Sequence, residues 1–183
     1  DLAETVSGPL APLLRRTLVA LITADVHARD ITGEMLEARV ASATSFTWQM
    51  QLRFYWEDGG SQRCIVKQTN CTLSYSYEYQ GNNGRLVVTP LTDRCVLTLL
   101  TAMFLHRGGN PLGPAGTGKT ETVKDLGKNL SKYVVVINCS DGMDYKSVGR
   151  IFSGLCQSGS WGCFDEFNRI KIEVISVVAM QVS

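Results

Sequence analysis

No uncharged run in the 183 residues is long enough to cross a bilayer. The longest, Ile151 to Phe164, falls short of the about 20 apolar residues a spanning helix needs. An excess of one charge is also missing, because 18 Lys and Arg against 17 Asp and Glu leave a net charge of +1. Without a broad basic field, neither nucleic acid nor an anionic membrane is expected as a partner, and anion binding must come from a local site. The six cysteines (Cys64, Cys71, Cys95, Cys139, Cys156 and Cys163) include no CxxC pair, and only His27 and His106 could assist them. Zinc sites want tight ligand pairs, so the cysteines read as reduced thiols packed as small hydrophobes. The start, Asp1-Leu2-Ala3-Glu4, lacks the basic start and apolar core of a secretory signal, and it has no initiating Met. The chain is therefore expected to be a piece of something larger, and the Asn-x-Ser/Thr sequons at Asn70, Asn129 and Asn138 are read as chance.

What is present is ordinary globular material, 44% hydrophobic and 19% charged, which argues against wholesale disorder. Leu10, Leu13, Leu14, Leu18, Leu21 and Ile22 recur at helical spacing, predicting an amphipathic helix from Pro9 to about Val26, with a second over Gly33 to Ala43. Phe46 to Trp56 is aromatic and open between helix and strand. Turns at Asp58-Gly59-Gly60-Ser61 and Gly81-Asn82-Asn83-Gly84 bracket two expected strands, Cys64 to Thr69 and Thr72 to Tyr79. In the second, Leu73, Tyr75, Tyr77 and Tyr79 fall on one face. A half-buried strand face is preferred there over a base-stacking platform, because no basic residues are interleaved with the row. Leu86-Val87-Val88 reads as a short strand and Pro90 to about His106 as a helix. Beyond them strand and helix alternate: helix Lys119 to Leu130, strand Tyr133 to Ile137, helix Tyr145 to Cys156, strand Trp161 to Phe164, helix Arg169 to Val182. That alternation signals an α/β fold with a parallel sheet and right-handed crossovers.

Between the helix after Pro90 and this alternation lies GPAGTGKT, Gly113 to Thr120, a complete G-x-x-x-x-G-K-[ST] phosphate loop. Glycines let the backbone turn so that successive N–H groups face phosphate oxygens, and the following helix presents its free N–H groups and positive dipole end to the same anion. Candidate nucleotide contacts are Gly113, Pro114, Ala115, Gly116, Thr117 and Gly118 in the loop, with Lys119, Thr120 and Glu121 opening the helix. Lys119 would neutralise the β- and γ-phosphates, and the Thr120 hydroxyl would take a Mg²⁺ position. A chance glycine loop is the bland alternative, and the amphipathic helix and buried strand that follow oppose it.

Downstream, WGCFDE ends an apolar strand in two carboxylates, Asp165 and Glu166. Asp165 would hold the metal's water shell, and Glu166 would orient and activate an attacking water. An exposed acidic loop is the competing reading. The second acid favours an ATPase over a small-molecule kinase, whose phosphate acceptor is not water.

Together LVVTPLTDR, GPAGTGKTETVKDL, NCSDGMDY and WGCFDEFNRI, densest between Tyr77 and Val178, resemble the first AAA+ module of dynein heavy chains. TADVHARD and LRFYW are similar to the end of the linker that precedes the ring in that family. NCSDGMDY and ADVHARD resemble the axonemal more than the cytoplasmic type. The resemblance implies a P-loop NTPase three-layer sandwich of the AAA+ type, incomplete at its C-terminus, with residues 1–80 as linker and residues 81–183 as the N-terminal part of the module. It implies ATP/ADP and Mg²⁺ as cofactors and minus-end-directed motility on microtubules in the cytoskeleton of a cilium or flagellum. The implied partners are the remaining modules of the same chain, microtubules reached through distant parts, and dynein intermediate and light chains. By the same resemblance Gly113 to Thr120 are Walker A, and Asp165 and Glu166 are Walker B. Asn138 takes the place of a polar residue that restrains the catalytic Glu, a strand-end cap being the alternative. Leu86, Val87 and Pro90 match the segment that lies against adenine, though core packing would explain them too. The sensor strand, lid and arginine finger of such modules have no counterpart here, so the isolated piece is not expected to be stable or active. A binding module that holds nucleotide without turnover is the alternative function, and a helicase-like protein lacks a basic, aromatic nucleic-acid surface.

Overall fold

The computed structural model describes residues 2–58, 63–81, 83–114 and 116–182, apart from the side chains of residues 181 and 182. The glycine turn expected around Gly59 to Ser61, and Asn82 of the second turn, lie outside them. The chain divides into two compact units, residues 1–131 and residues 132–183.

The first unit opens with helices α1 (Leu2–Ser7) and α2 (Pro12–Glu37). The guanidinium of Arg15 donates to the carbonyls of Val6 and Gly8 and ties α1 to the start of α2. The two helices expected over Pro9 to Val26 and Gly33 to Ala43 are one. No proline or glycine interrupts residues 13–32, and a single interior glycine, Gly33, costs only about 1 kcal/mol against alanine. The helix ends where Arg39 turns to positive φ (49°). The ambiguous aromatic stretch is both structures in turn, a single turn of helix α3 (Phe46–Gln49) and strand β1 (Arg53–Glu57).

Strands β1, β2 (Arg63–Gln68) and β3 (Cys71–Ser74) form an antiparallel sheet in that order, with Arg53 opposite Lys67 and Gln68 opposite Cys71. Ile65 and Val66 of the central strand are buried. The strand expected from Thr72 to Tyr79 stops at Ser74. Past it the backbone leaves the hairpin: the N–H groups of Ser76 and Glu78 donate to Leu130 and Ser131, and Tyr77 has φ 56°. The alternation of tyrosines therefore makes no strand face. Tyr75 and Tyr77 stack edge to face at 5.0 Å, the Tyr77 hydroxyl accepts the Cys64 N–H, and Tyr79 is 96% exposed.

Helices α4 (Pro90–Phe104) and α5 (Lys119–Asn129) complete this unit. Thr89 and Thr92 cap α4 reciprocally, each side chain accepting the other's backbone N–H, and Pro90 sits in the first turn where its missing N–H costs nothing. Leu99, Leu100, Leu126 and Leu130 are buried with Ile65, Val66 and Cys71. Full burial of side chains such as Leu100 and Leu126 stabilises by about 1.5–3 kcal/mol each. The Leu86–Val88 strand expected from sequence is not formed, because the N–H of Leu86 donates to the Asp125 carboxylate instead of to a neighbouring strand.

In the second unit β4 (Val134–Asn138) and β5 (Trp161–Asp165) pair in parallel, joined by α6 (Tyr145–Ser158). Asp144 caps α6 through the N–H of Ser147 at 2.8 Å, and Gly159 ends it in the left-handed conformation. A 3₁₀ turn (Phe167–Arg169) precedes α7 (Ile172–Val182), so the last helix begins three residues later than expected from its apolar pattern. Val148, Ile170 and Val178 form the core, and Phe152 packs edge to face on Phe164 at 5.3 Å.

Candidate functional site

Two clusters contain the residues singled out from sequence, one in each unit.

The first is built where α5 begins. Gly116 (φ 75°) and Gly118 (φ 78°) both hold the left-handed backbone that L-residues avoid, and Gly118 is the N-cap of α5. The chain is thereby wound so that the helix's free N–H groups open into the loop. The Lys119 ammonium reaches back across the loop to the carbonyls of Gly113 (2.9 Å) and Pro114 (2.6 Å). Thr117 Oγ1 donates to Pro114 O at 2.9 Å, which closes the turn from the other side. A Cβ on Gly113 would stand 3.4 Å from Thr117 Oγ1 and 4.0 Å from Lys119 Cδ, so the loop wraps closely around that position. Thr120 opens the helix, and Glu121 forms an exposed ion pair with Lys124 at 2.8 Å. Ala115 lies outside the described residues.

Beside the loop is a cavity of about 320 Å³, lined by Leu91, Thr92 and Cys95 at the start of α4 and by Leu112, Thr117 and Lys119 of the loop, among others. That volume lies at the lower end of the roughly 300–1,000 Å³ typical of small-molecule sites. Burial pushes the Cys95 thiol pKa above its ordinary value. Pro90 directly precedes these α4 residues, and Leu86 and Val87 stand on the strap leading to it, with Val87 69% exposed.

A residue that sequence reasoning passed over holds this strap. Asp125 is buried, and its Oδ1 accepts the Leu86 N–H at 3.1 Å and lies 3.6 Å from Arg85 Nε. Its Oδ2 accepts from Asn129 at 3.3 Å. The signal was present in the sequence: an Asp between the apolar positions Val123 and Leu126 of an amphipathic helix must find donors if it is buried.

The second cluster lies at the C-terminal end of the parallel pair. Asn138 is in register with Asp165, so the two residues stand side by side where β4 and β5 end. The Cys139 N–H donates to Asp165 O at 2.9 Å and continues the pairing one residue further. Burial, then the charge of Asp165 and the Cys163 thiol, raise the Cys139 pKa. Glu166 takes φ 52°, and its N–H donates to Asp165 Oδ1 at 2.9 Å. This sharp turn swings Glu166 out of the strand, where its Oε2 meets Arg169 Nε at 2.8 Å. Asn138, Asp165 and Glu166 are thus brought together. The Arg169 partner was not anticipated, although its i+3 spacing from Glu166 is visible in the sequence.

Chemically, the first cluster offers oriented amides and a cation for an anionic, phosphate-like group, and the second offers clustered carboxylate oxygens. Residues 75–183 match the family described as the hydrolytic ATP binding site of the dynein motor region. The chain is 60% identical over 180 residues to dynein axonemal heavy chain 2 of Mus musculus, covering 98% of this chain and 4% of that protein. It is 59% identical over its full length to the dynein-1-beta heavy chain of the flagellar inner arm I1 complex of Chlamydomonas reinhardtii, again 4% of that protein. Against dynein axonemal heavy chain 12 of Mus musculus it is 56% identical over its full length and 6% of that protein's. The chain thus spans only about a twentieth of the length of the curated relatives it matches.

Proposed function

Because the chain belongs to the dynein heavy chain family, as part of the hydrolytic ATP-binding region of an AAA+ motor, we propose that it binds and hydrolyses ATP to drive movement of the segment that precedes the module. The observation that supports this best is the loop from Gly113 to Thr120. Two left-handed glycines feed a helix N-terminus, and the Lys119 ammonium lies across the loop they form. The loop amides and Lys119 bind the phosphate tail, and the strap from Leu86 to Pro90 lies against the base. Loop amides cost no reorganisation when charge develops on the transferred phosphoryl group, which is why such loops accelerate the reaction as well as bind.

The residues that would hold a cation are Thr120, through its hydroxyl, and Asp165, through its carboxylate, both hard oxygen ligands of the kind Mg²⁺ takes with nucleotide phosphates. Bound there, Mg²⁺ would neutralise charge on the β- and γ-phosphates. Glu166 orients the attacking water and accepts its proton, and Asn138, beside Asp165 at the strand ends, restrains Glu166 until the site closes. The Glu166–Arg169 pair favours a second reading, nucleotide held without turnover, because it occupies the carboxylate that hydrolysis needs.

In the whole heavy chain, residues 1–80 act as the linker end that converts closure of the module into displacement. The names of the relatives support placement in an axoneme; in this reading the other modules of the same chain, microtubules, and intermediate and light chains are its partners. Replacing Lys119 by Ala in the full heavy chain tests the assignment. ATP affinity is expected to fall by at least tenfold, as for loss of a charge-assisted contact. Unaltered affinity would contradict the phosphate role.

A further inference from the structure

Among the described residues, Asp125 is a buried charge that hydrolysis at Glu166 does not use. Asp125 sits on α5 six residues after Lys119, about 9 Å along the helix axis at 1.5 Å per residue. It is 7% exposed. A carboxylate at that depth is retained only with donors around it, and two of its three come from one place: the Leu86 N–H at 3.1 Å and Arg85 Nε at 3.6 Å. Next along α5, Lys128 Nζ donates to Gly84 O at 3.3 Å. Gly84 to Leu86 is thereby fastened along the side of the helix whose N-terminus carries the phosphate loop.

The far end of the same strap is fastened as well. Thr89 and Thr92 close the cap of α4, and the residues after Pro90 line the cavity that ends at Thr117 and Lys119. Leu86 to Pro90 is therefore a short span fixed at both ends, one on the phosphate-loop helix and one on the capped start of α4, whose first residues line the cavity.

We propose that Asp125 is a positioning residue for the purine: it registers the Leu86–Pro90 strap against the phosphate-loop helix, so that base and phosphate tail are held at the spacing of one nucleotide. This rests on the proposed reading of Gly113 to Thr120 as the phosphate site and of Leu86 to Pro90 as the segment against the base. It touches neither base nor phosphate, and acts through the Leu86 backbone. Its loss should remove the part of the affinity that depends on the base and spare the part that depends on phosphate.

The test compares ATP with inorganic triphosphate as ligands of the full heavy chain, taking as this site's signal the binding that disappears in Lys119→Ala. In Asp125→Ala the advantage of ATP over triphosphate is expected to shrink about tenfold or more, the effect of losing a buried hydrogen bond to a charged group, with triphosphate affinity unchanged. Asp125→Asn keeps an acceptor for Leu86 and loses the charge facing Arg85, so it should lose less of that advantage than Asp125→Ala. Should Asp125→Ala fail to fold, Asp125→Asn carries the test alone, with a reduction of about threefold in the ATP-to-triphosphate ratio expected from the lost charge. A parallel fall in both ligands, or no change in the ratio for either variant, would overturn the role of Asp125. If Lys119→Ala instead leaves triphosphate binding intact, the phosphate-site reading itself fails, whatever Asp125 does.

Discussion

Gly118 is the position at which backbone geometry and ligand chemistry are most tightly joined. It holds φ 78° and ψ 21° as the N-cap of α5. An L-residue in that conformation costs roughly 1–2 kcal/mol, because its Cβ crowds the following carbonyl. No side chain opposes the substitution, since a Cβ there meets nothing within 4 Å. Gly118→Ala therefore isolates the backbone term. If the loop must keep this conformation to aim its amides, nucleotide affinity should fall by about 5–30-fold, the equivalent of 1–2 kcal/mol. Gly113 is the internal control. It is not among the positive-φ glycines, and its Cβ would make ordinary contacts at 3.4 and 4.0 Å, so Gly113→Ala should lower affinity less. Gly118→Asn should fall between, because Asn visits the left-handed region more readily than Ala. Displacement of a fluorescent ATP analogue from the full heavy chain, with hydrogen exchange over residues 113–122, reads both terms. The reasoning is refuted if Gly118→Ala binds as tightly as the parent, or if Gly113→Ala is the more damaging change.

Two further outcomes concern the strap and its helix. Thr89→Ala removes one side of the α4 capping box and should cost about 1 kcal/mol, seen as roughly fivefold faster hydrogen exchange in the first turn of α4. Asp93 in that first turn has its pKa raised by burial, an effect that Glu34 reinforces and His27 opposes. A raised folded-state pKa means that its contribution to stability is present below the ordinary Asp value of about 3.9 and is lost as pH rises through the folded-state value. Asp93→Asn should accordingly slow exchange in α4 at pH 7 and make no difference in acid; equal effects at both pH values would show that the charge is not the cause.

The parts of this chain that were legible in sequence are those where one residue type has one physical use. The glycine spacing of the Gly113–Thr120 loop was legible because glycine takes the left-handed conformation at little cost, and Gly116 and Gly118 both adopt it. Alternation after Lys119 located β4, α6 and β5 within a residue or two, since the two strands are short apolar runs and the helix between them is amphipathic. Periodicity failed where tertiary partners decided. The continuity of α2 across Thr23 to Gly33 depends on nothing stopping the helix, which a face count does not register. Leu86 to Val88 has strand composition, but its first N–H is claimed by Asp125, a residue 39 positions away. The tyrosine row failed for a similar reason: Tyr77 turns to positive φ as the backbone leaves β3 for the end of α5. Asp125 was legible in principle, as a carboxylate among buried positions, but its partner could not be named from spacing alone.

The central claim is that Glu166 serves hydrolysis, while the loop before α5 serves binding. The most direct measurement is ATP binding and steady-state ATP hydrolysis by the full heavy chain carrying Glu166→Gln. Retained nucleotide affinity with turnover abolished is the predicted result; hydrolysis at the parent rate would contradict it.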